Sequence, residues 1–280
     1  MLHVATVHWQ SARWIEIQLR YLGRHLEEPF RVYAFLNEIS EGEDTKFHYA
    51  SHEPIREHAI KLNRLADVIL RQAASDADRI LFLDGDAFPI GALTPFLDRR
   101  LQAAPLAAVQ RLENNGDRQP HPCFCATTVG FWRMIGGDWN EGHHWLNASR
   151  APMSDVGGNL LGILERRGLP WHPLLRTNRH NLHPVWFGIY ADRVYHHGAG
   201  FRRDKLSRAD LQGLAEARRR RNALGRAVEG TLDHLLRRSP VAALRRWTAV
   251  ERLNRRNTQL SEAIFTRIQR DEPFLRDFLE

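Results

Sequence analysis

Apolar positions in the first two thirds of the chain alternate between two rhythms. Short runs rich in β-branched and aromatic residues are followed by longer stretches in which apolar residues return every three or four positions. The first rhythm suits strands buried on both faces and the second suits helices packed on them. Together they predict an α/β fold in which crossover helices join a mostly parallel sheet. Leu2 to Val7 reads as the first strand, and Trp14 to His25 as a helix with Trp14, Ile17, Leu19, Tyr21, Leu22 and Leu26 on its apolar face. Phe30 to Leu36 is a second strand, and Asn37 to Glu53 reads as a polar loop. His58 to Gln72 is helical, with Ile60, Leu62, Leu65, Val68 and Ile69 spaced for burial, and it leads into the strand Arg79 to Leu83. That strand runs directly into Asp84-Gly85-Asp86.

Thr94-Pro95 has the form of an N-cap followed by proline in the first turn, opening a short helix that ends before Pro105. Ala107 to Gln110 is strand-like. A polar stretch from Glu113 to Pro122 then precedes Cys123 to Trp132, and the loop from Asp138 to Pro152, rich in His, Trp and Asn, is expected to face an acceptor. Ser154 is positioned to cap a helix over Asp155 to Arg167, and Val194 to His196 is the last strand. Beyond about Lys205 strand formers thin out, arginines cluster at Arg218 to Arg221, and apolar residues recur at helical spacing. Leu232, Leu235, Leu236, Leu244, Trp247, Val250 and Leu253 read mainly as packing residues. The expected organisation is a catalytic region over 1–205 and a helical region over 206–280 that contacts acceptor, partner or membrane surface.

Composition changes this picture little. The net charge is +7, but only three of the 40 basic residues are lysines. Arginine-based basicity of this kind fits a solvated surface as well as a polyanion partner, and nucleic acid is not the expected one. Cys123 and Cys125, one residue apart, are too close for a relaxed disulfide and too few for a structural zinc site. No apolar run is long enough to span a bilayer, and the N-terminus opens on a strand without a basic leader. A cytoplasmic protein is expected, with peripheral contact at the inner membrane left open.

The candidate chemistry centres on Ile80 to Phe88, where an apolar strand delivers two carboxylates to its C-terminal end, the place where open α/β sheets bind ligands. Carboxylates at i and i+2 can point to one side of an extended backbone, and Gly85 between them leaves room for a bound diphosphate. Two hard oxygen donors suit Mg²⁺ or Mn²⁺ held jointly by protein and phosphate. No P-loop, GxGxxG, HExxH or GxSxG is present, which removes several other enzyme classes.

The strand ending in Asp84-Gly85-Asp86, together with the later tract Val194-Tyr195-His196-His197-Gly198, resembles GT-A glycosyltransferases. The likeness is greatest to the family of glycogenin and the bacterial lipopolysaccharide galactosyltransferases. The resemblance implies a Rossmann-like mixed sheet that binds a nucleoside-diphosphate sugar, a UDP-sugar being favoured, and passes the hexose to a saccharide, lipid-linked or other hydroxyl acceptor. It implies a cation on Asp84, Asp86 and a histidine, with His196 at the ligand position and His197 as the alternative. An imidazole beside two carboxylates tilts the preference towards Mn²⁺.

The same resemblance places Arg202 at a phosphate contact, with Arg203 or Lys205 as substitutes, and gives a nucleotide contact to Lys61, with Arg64 as its alternative. Asp84 also counts among the donor contacts. Cys123 to Val129 is similar to the segment lining the donor-sugar pocket, although cysteine and threonine stand where the family has asparagine and glycine. Ala5, Thr6 and His8, at the end of the first strand, fall where the nucleoside binds. Asp155 falls near the transferred sugar, as a general base if configuration inverts or a sugar contact if it is retained; the plain alternative is a helix-terminal acid. The donor, acceptor, stereochemical course and oligomeric state are left open.

Two other classes compete. A haloacid-dehalogenase-type phosphohydrolase also has Asp-x-Asp after an apolar strand, but it needs a downstream lysine and an acidic pair, and Lys205 is the only lysine after Asp86. A noncatalytic basic protein binding polyanions would rest on the arginine-rich C-terminal region alone.

Overall fold

In the computed structural model, residues 1–220, 231, 234–235 and 248–280 are described. Leu232, Leu236, Leu244, Trp247 and Arg221, singled out above, lie outside them. The chain divides into two compact units, Met1–Phe201 with Asp277–Glu280, and Arg202–Arg276.

The first unit is α/β. Its main elements are β1 (Leu2–Trp9), α1 (Ile15–His25), β2 (Phe30–Asn37), β3 (Tyr49–Ser51), α2 (His58–Gln72), β4 (Arg79–Asp84), β5 (Ala87–Pro89), α3 (Thr94–Ala103), β6 (Leu106–Val109), β7 (His121–Thr128) and α4 (Val129–Ile135). They are followed by β8 (Trp145–Leu146), β9 (Pro152–Met153), α5 (Gly158–Arg166), β10 (His172–Leu174), β11 (Gly188–Tyr190) and β12 (Val194–His196). Seven strands form one mixed sheet in the order β10-β6-β7-β4-β1-β2-β3, and only β7 runs against its neighbours. The alternation within β4 shows why it must be apolar throughout. Ile80 and Phe82 enter the core under Leu62, Leu65 and Trp132, while Leu81 and Leu83 enter the opposite core with Leu22, Leu97 and Phe124. Each fully buried side chain of this size contributes about 2 kcal/mol.

After β1 the chain moves outward to β2 and β3, then returns to place β4 on the other side of β1. The carboxyl ends of β1 and β4 therefore flank a topological switch point, the place on the carboxyl edge where open α/β sheets bind ligands. Asp84 ends β4 there. Because β7 is antiparallel, its first residue, His121, comes to the same edge. A second, antiparallel sheet, β11-β12-β5, hangs from that edge and pairs His196 with Ala87.

Several expected details differ. The segment read as a polar loop contains a 3₁₀ turn, Glu41–Lys46, and the edge strand β3. Thr94 is the first residue of α3 rather than its cap, and its hydroxyl accepts from the Glu27 N–H at 3.1 Å. Ser154 does not cap α5 either. Its Oγ accepts from Gly142 N–H at 2.9 Å, and the helix begins three residues after Asp155 behind Gly157, whose φ of 89° suits glycine. The short strands β5, β10 and β11 lie in segments too brief to show a periodicity. Of the five tryptophans from Trp132 to Trp186, Trp132, Trp139, Trp145 and Trp186 are buried and Trp171 is partly so.

The second unit is helical among its described residues, containing α6 (Arg208–Arg219) and α7 (Ala249–Gln269); a last helix, α8 (Arg276–Leu279), ends the chain. Ser207 and Asp210 close a capping box at the start of α6, and Thr248 caps α7 by accepting from Glu251 N–H at 3.2 Å. Lys205 is tied to α7 through its backbone, donating to Asn254 Oδ1 at 2.7 Å and accepting from Asn257 Nδ2 at 2.8 Å.

Candidate metal and nucleotide site

Asp84, Asp86 and His196 converge at the switch point, with one ligand atom from each lying within 4.8 Å of the others. His196 Nε2 lies 3.5 Å from Asp84 Oδ2 and 3.4 Å from Asp86 Oδ1. The second oxygen of Asp86 accepts from Gly200 N–H at 2.9 Å, which fixes that carboxylate from the loop following β12. Gly85 is required for a reason other than ligand room. A Cβ there would lie 2.5 Å from the Val7 carbonyl oxygen and 2.7 Å from His8 Nδ1, so the turn packs directly onto the end of β1.

Gln18, on α1, fastens the turn from behind. Its amide nitrogen donates to the carbonyls of Asp84 at 2.8 Å and Ala87 at 2.9 Å, and its oxygen lies 3.2 Å from His8 Nε2. Buried backbone carbonyls are thereby satisfied on both sides of Asp-Gly-Asp.

The electrostatics favour a cation. Burial alone would push the Asp84 carboxyl up, but its hydrogen bond with His58 and the imidazoles of His58, His196 and His121 outweigh this and hold it below the usual carboxylate range. Asp86 is also lowered: burial and Asp84 push it up, while the charge and hydrogen bond of His196 prevail. His121 is held far below its ordinary value by burial first and the charge of Arg111 second. Burial likewise lowers His8 to about 4, against the opposing effect of its bond to Gln18. Near neutral pH Asp84 and Asp86 are thus ionised, while the buried His8 and His121 are uncharged.

Three residues beyond those expected belong to this neighbourhood. His58, at the start of α2, places Nε2 3.1 Å from Asp84 Oδ1. His121 accepts from Cys123 N–H at 3.1 Å through Nδ1, lies with Nε2 3.4 Å from an Arg111 nitrogen, and has its ring 5.9 Å from that of His196. Arg111 also donates to the Val185 carbonyl at 3.0 Å. A histidine opening a helix and another opening a strand carry no local spacing that announces a shared site; only the sheet order brings them to Asp84.

The other expected residues occupy distinct positions. Ala5 and Thr6 are wholly buried in β1, and Thr6 Oγ1 has no hydrogen-bond partner. His8 is also fully buried, with Nδ1 unpartnered. Lys61, one turn after His58, is 3% exposed, and burial lowers its ammonium against the opposing charges of Glu57 and Glu38. His197, by contrast, is not among the residues whose ligand atoms converge, although its charge contributes to lowering Asp86. It is completely buried between Trp14 and Phe187, and its Nδ1 lies 2.9 Å from the Tyr195 hydroxyl.

Asp155 accepts from Val156 N–H at 2.8 Å and lies close enough to Asp117 for their charges to interact. Asp117 is 3% exposed, and burial, opposed by Asn114 and Arg111 and reinforced by Asp155 and Glu113, raises its carboxyl to about 6. Arg202 is the first residue of the second unit and is exposed. Cys123 and Cys125 are fully buried free thiols, pushed up by that burial.

No protein-family model matches the chain, and no curated protein matches it. Among solved structures, TarS of S. aureus bound to UDP-GlcNAc is 9% identical, with a TM-score of 0.38 over 95% of this chain and 81% of that one. The glycosyltransferase GlyE of Streptococcus pneumoniae is 17% identical, with a TM-score of 0.35 over 48% of this chain and 35% of that one. The galactosyltransferase LgtC, in complex with donor and acceptor sugar analogues, is 15% identical, with a TM-score of 0.31 over 47% and 59%. The chain spans half the length or less of two other TarS structures it matches. Overlaps this slight give no ground for assigning a reaction.

Proposed function

We propose that the chain is a metal-dependent GT-A glycosyltransferase, transferring a hexose from a nucleoside-diphosphate sugar, with UDP favoured, to a hydroxyl acceptor. The observation that carries this reading is the convergence of Asp84, Asp86 and His196 at the sheet's switch point. Two carboxylates and one imidazole, with ligand atoms this close, fit a hexacoordinate first-row cation, and the nitrogen donor favours Mn²⁺ over Mg²⁺. A bound cation would supply charge neutralisation for a departing diphosphate.

The protein's own part in the reaction is orientation. Gln18 holds the backbone on both sides of the Asp-Gly-Asp turn, Gly200 N–H holds the Asp86 carboxylate, and His58 restrains the Asp84 carboxylate through Oδ1. Thr6 and His8, at the end of β1, are assigned to the nucleoside by position; the Thr6 hydroxyl and His8 Nδ1 are unpartnered but buried, so contact with them requires the surrounding side chains to move. Lys61, one turn after His58 on α2, is assigned to phosphate as a desolvated positive charge. Asp155, with Asp117 nearby, is assigned to the sugar, binding its hydroxyls or taking the acceptor proton.

A phosphohydrolase reading is disfavoured. It would need a lysine to restrain the substrate phosphate, and the only lysine after Asp86 is Lys205, whose described contacts bind it to α7 through its backbone. The deciding experiment is calorimetric titration with UDP, GDP and dTDP, with and without Mn²⁺, followed by donor hydrolysis assays with the matching sugars. Mn²⁺-dependent binding of one diphosphate and release of its sugar is the expected result. Hydrolysis of simple phosphate esters, with no Mn²⁺-dependent binding of any of the three diphosphates, would replace the reading with the phosphohydrolase.

A further inference from the structure

The positive charge of this chain is segregated. Residues 202–276 hold 19 basic against 9 acidic side chains, a net charge of +10, whereas the rest of the chain holds 21 basic against 24 acidic, a net charge of −3. The overall excess of +7 therefore comes entirely from the second unit. Uniform arginine enrichment would have spread it over both.

How that charge is displayed narrows the partner. Asp210 is the only buried residue of α6, and its carboxylate is occupied at the helix start, accepting from Ser207 N–H at 2.6 Å. The remainder of α6 is largely open to solvent: Leu211 is 49% exposed, and Arg218 stands in the last turn with Arg220 just beyond it. On α7, Arg255 and Arg256 are exposed on the side opposite the buried Ile264, Phe265 and Ile268. Phe265 and Phe274 are buried, so the described residues of this unit present no aromatic platform on which a base could stack. Arginines interleaved with exposed leucine suit an anionic headgroup layer, which accepts guanidinium pairing at its surface and an aliphatic side chain just beneath. No helix among the described residues is long and apolar enough to cross a membrane, so the contact would be peripheral.

We propose that the Arg202–Arg276 unit docks the protein on an anionic lipid bilayer. The attraction is electrostatic, screened over about 8 Å at physiological ionic strength, and therefore reversible. It requires no assumption about the reaction catalysed by the first unit.

The test is cosedimentation of the full chain with vesicles of phosphatidylglycerol and phosphatidylcholine, or of phosphatidylcholine alone, at low and high salt. A 20-base-pair DNA duplex and an RNA of the same length serve as competitors. Binding should require phosphatidylglycerol and vanish at about 0.5 M NaCl, where the screening length falls to roughly half its physiological value. Joint replacement of Arg218, Arg220, Arg255 and Arg256 by alanine should weaken it on the order of a thousandfold. Replacing the same four by lysine should preserve it, which separates charge from folding. Equal binding to both vesicle types, or no binding to either, overturns the proposal. Tighter binding to either nucleic acid than to phosphatidylglycerol vesicles also overturns it, in favour of a nucleic-acid partner.

Discussion

His58 Nε2 lies 3.1 Å from Asp84 Oδ1, so a residue from the first turn of α2 restrains the carboxylate that ends β4. The other Asp84 oxygen faces His196 at 3.5 Å, leaving the carboxylate held between two imidazoles that are far apart in the sequence. Outer partners of this kind orient a ligand, and their loss typically weakens metal binding about 10- to 100-fold. His58→Ala should therefore reduce Mn²⁺ affinity, measured by titration in the presence of UDP, by about tenfold. His58→Gln, which retains a donor, should recover part of it. Parent-like affinity in the alanine variant would make His58 a bystander.

Asp86→Ala should abolish Mn²⁺-dependent UDP binding. Asp86 is 4% exposed, and its loss leaves the Gly200 N–H without an acceptor but also removes the repulsion of Asp84. The two effects oppose each other, so the melting temperature should move by only a few degrees, about 1 kcal/mol in stability. Undiminished Mn²⁺ and UDP binding by the folded variant would remove the proposed cation site.

The adjacent histidines should separate cleanly. His196→Ala is expected to lose cation binding while remaining folded, because its ring lies against the two carboxylates. His197→Ala should instead lose stability, about 2–4 kcal/mol, through an emptied space between Trp14 and Phe187 and the loss of the His197 contact with the Tyr195 hydroxyl. Thermal melts and Mn²⁺ titrations on both variants would show the dissociation. A His197 variant that melts like the parent but loses metal would reverse the assignment.

Asp117 supplies a pH signature. Its carboxyl is raised to about 6 in the fold, so between about pH 4 and 6 the folded state binds more protons there than the unfolded chain. Its contribution to stability therefore falls as pH rises through that window and levels off above it. Arg111 and Asn114 oppose the shift, and Asp155 and Glu113 add to it. Asp117→Asn should abolish this dependence and, at pH 7.5, be more stable than the parent by up to about 3 kcal/mol. Denaturant melts at a series of pH values test this; parallel curves for parent and variant would show that Asp117 is ionised normally.

The long elements were legible because their burial is periodic. α2 runs from His58 to Gln72, as the spacing of Leu62, Leu65 and Ile69 requires, and β12 covers the predicted Val194–His196. Local chemistry misled where a distant partner competes for the same atom. Ser154 has the composition of a cap, but Gly142 N–H takes its hydroxyl, and the Thr94 hydroxyl serves Glu27 across the fold. In the site, Asp84 and Asp86 were visible from the strand that delivers them. His58 and His121 were not, because their proximity to Asp84 depends on strand order and on the antiparallel direction of β7. The short strand β5 is equally invisible in sequence, being defined by its pairing with β12 more than a hundred residues away.

Gln18 bonds the carbonyls on both sides of the Asp84-Gly85-Asp86 turn, and a side chain at Gly85 would collide with the end of β1. A turn fastened at both ends and pressed from beneath has little left to rearrange when a cation arrives. Capture in rapid mixing should therefore proceed as a one-step encounter, its observed rate rising linearly with Mn²⁺ concentration instead of reaching the plateau that marks a slow closure.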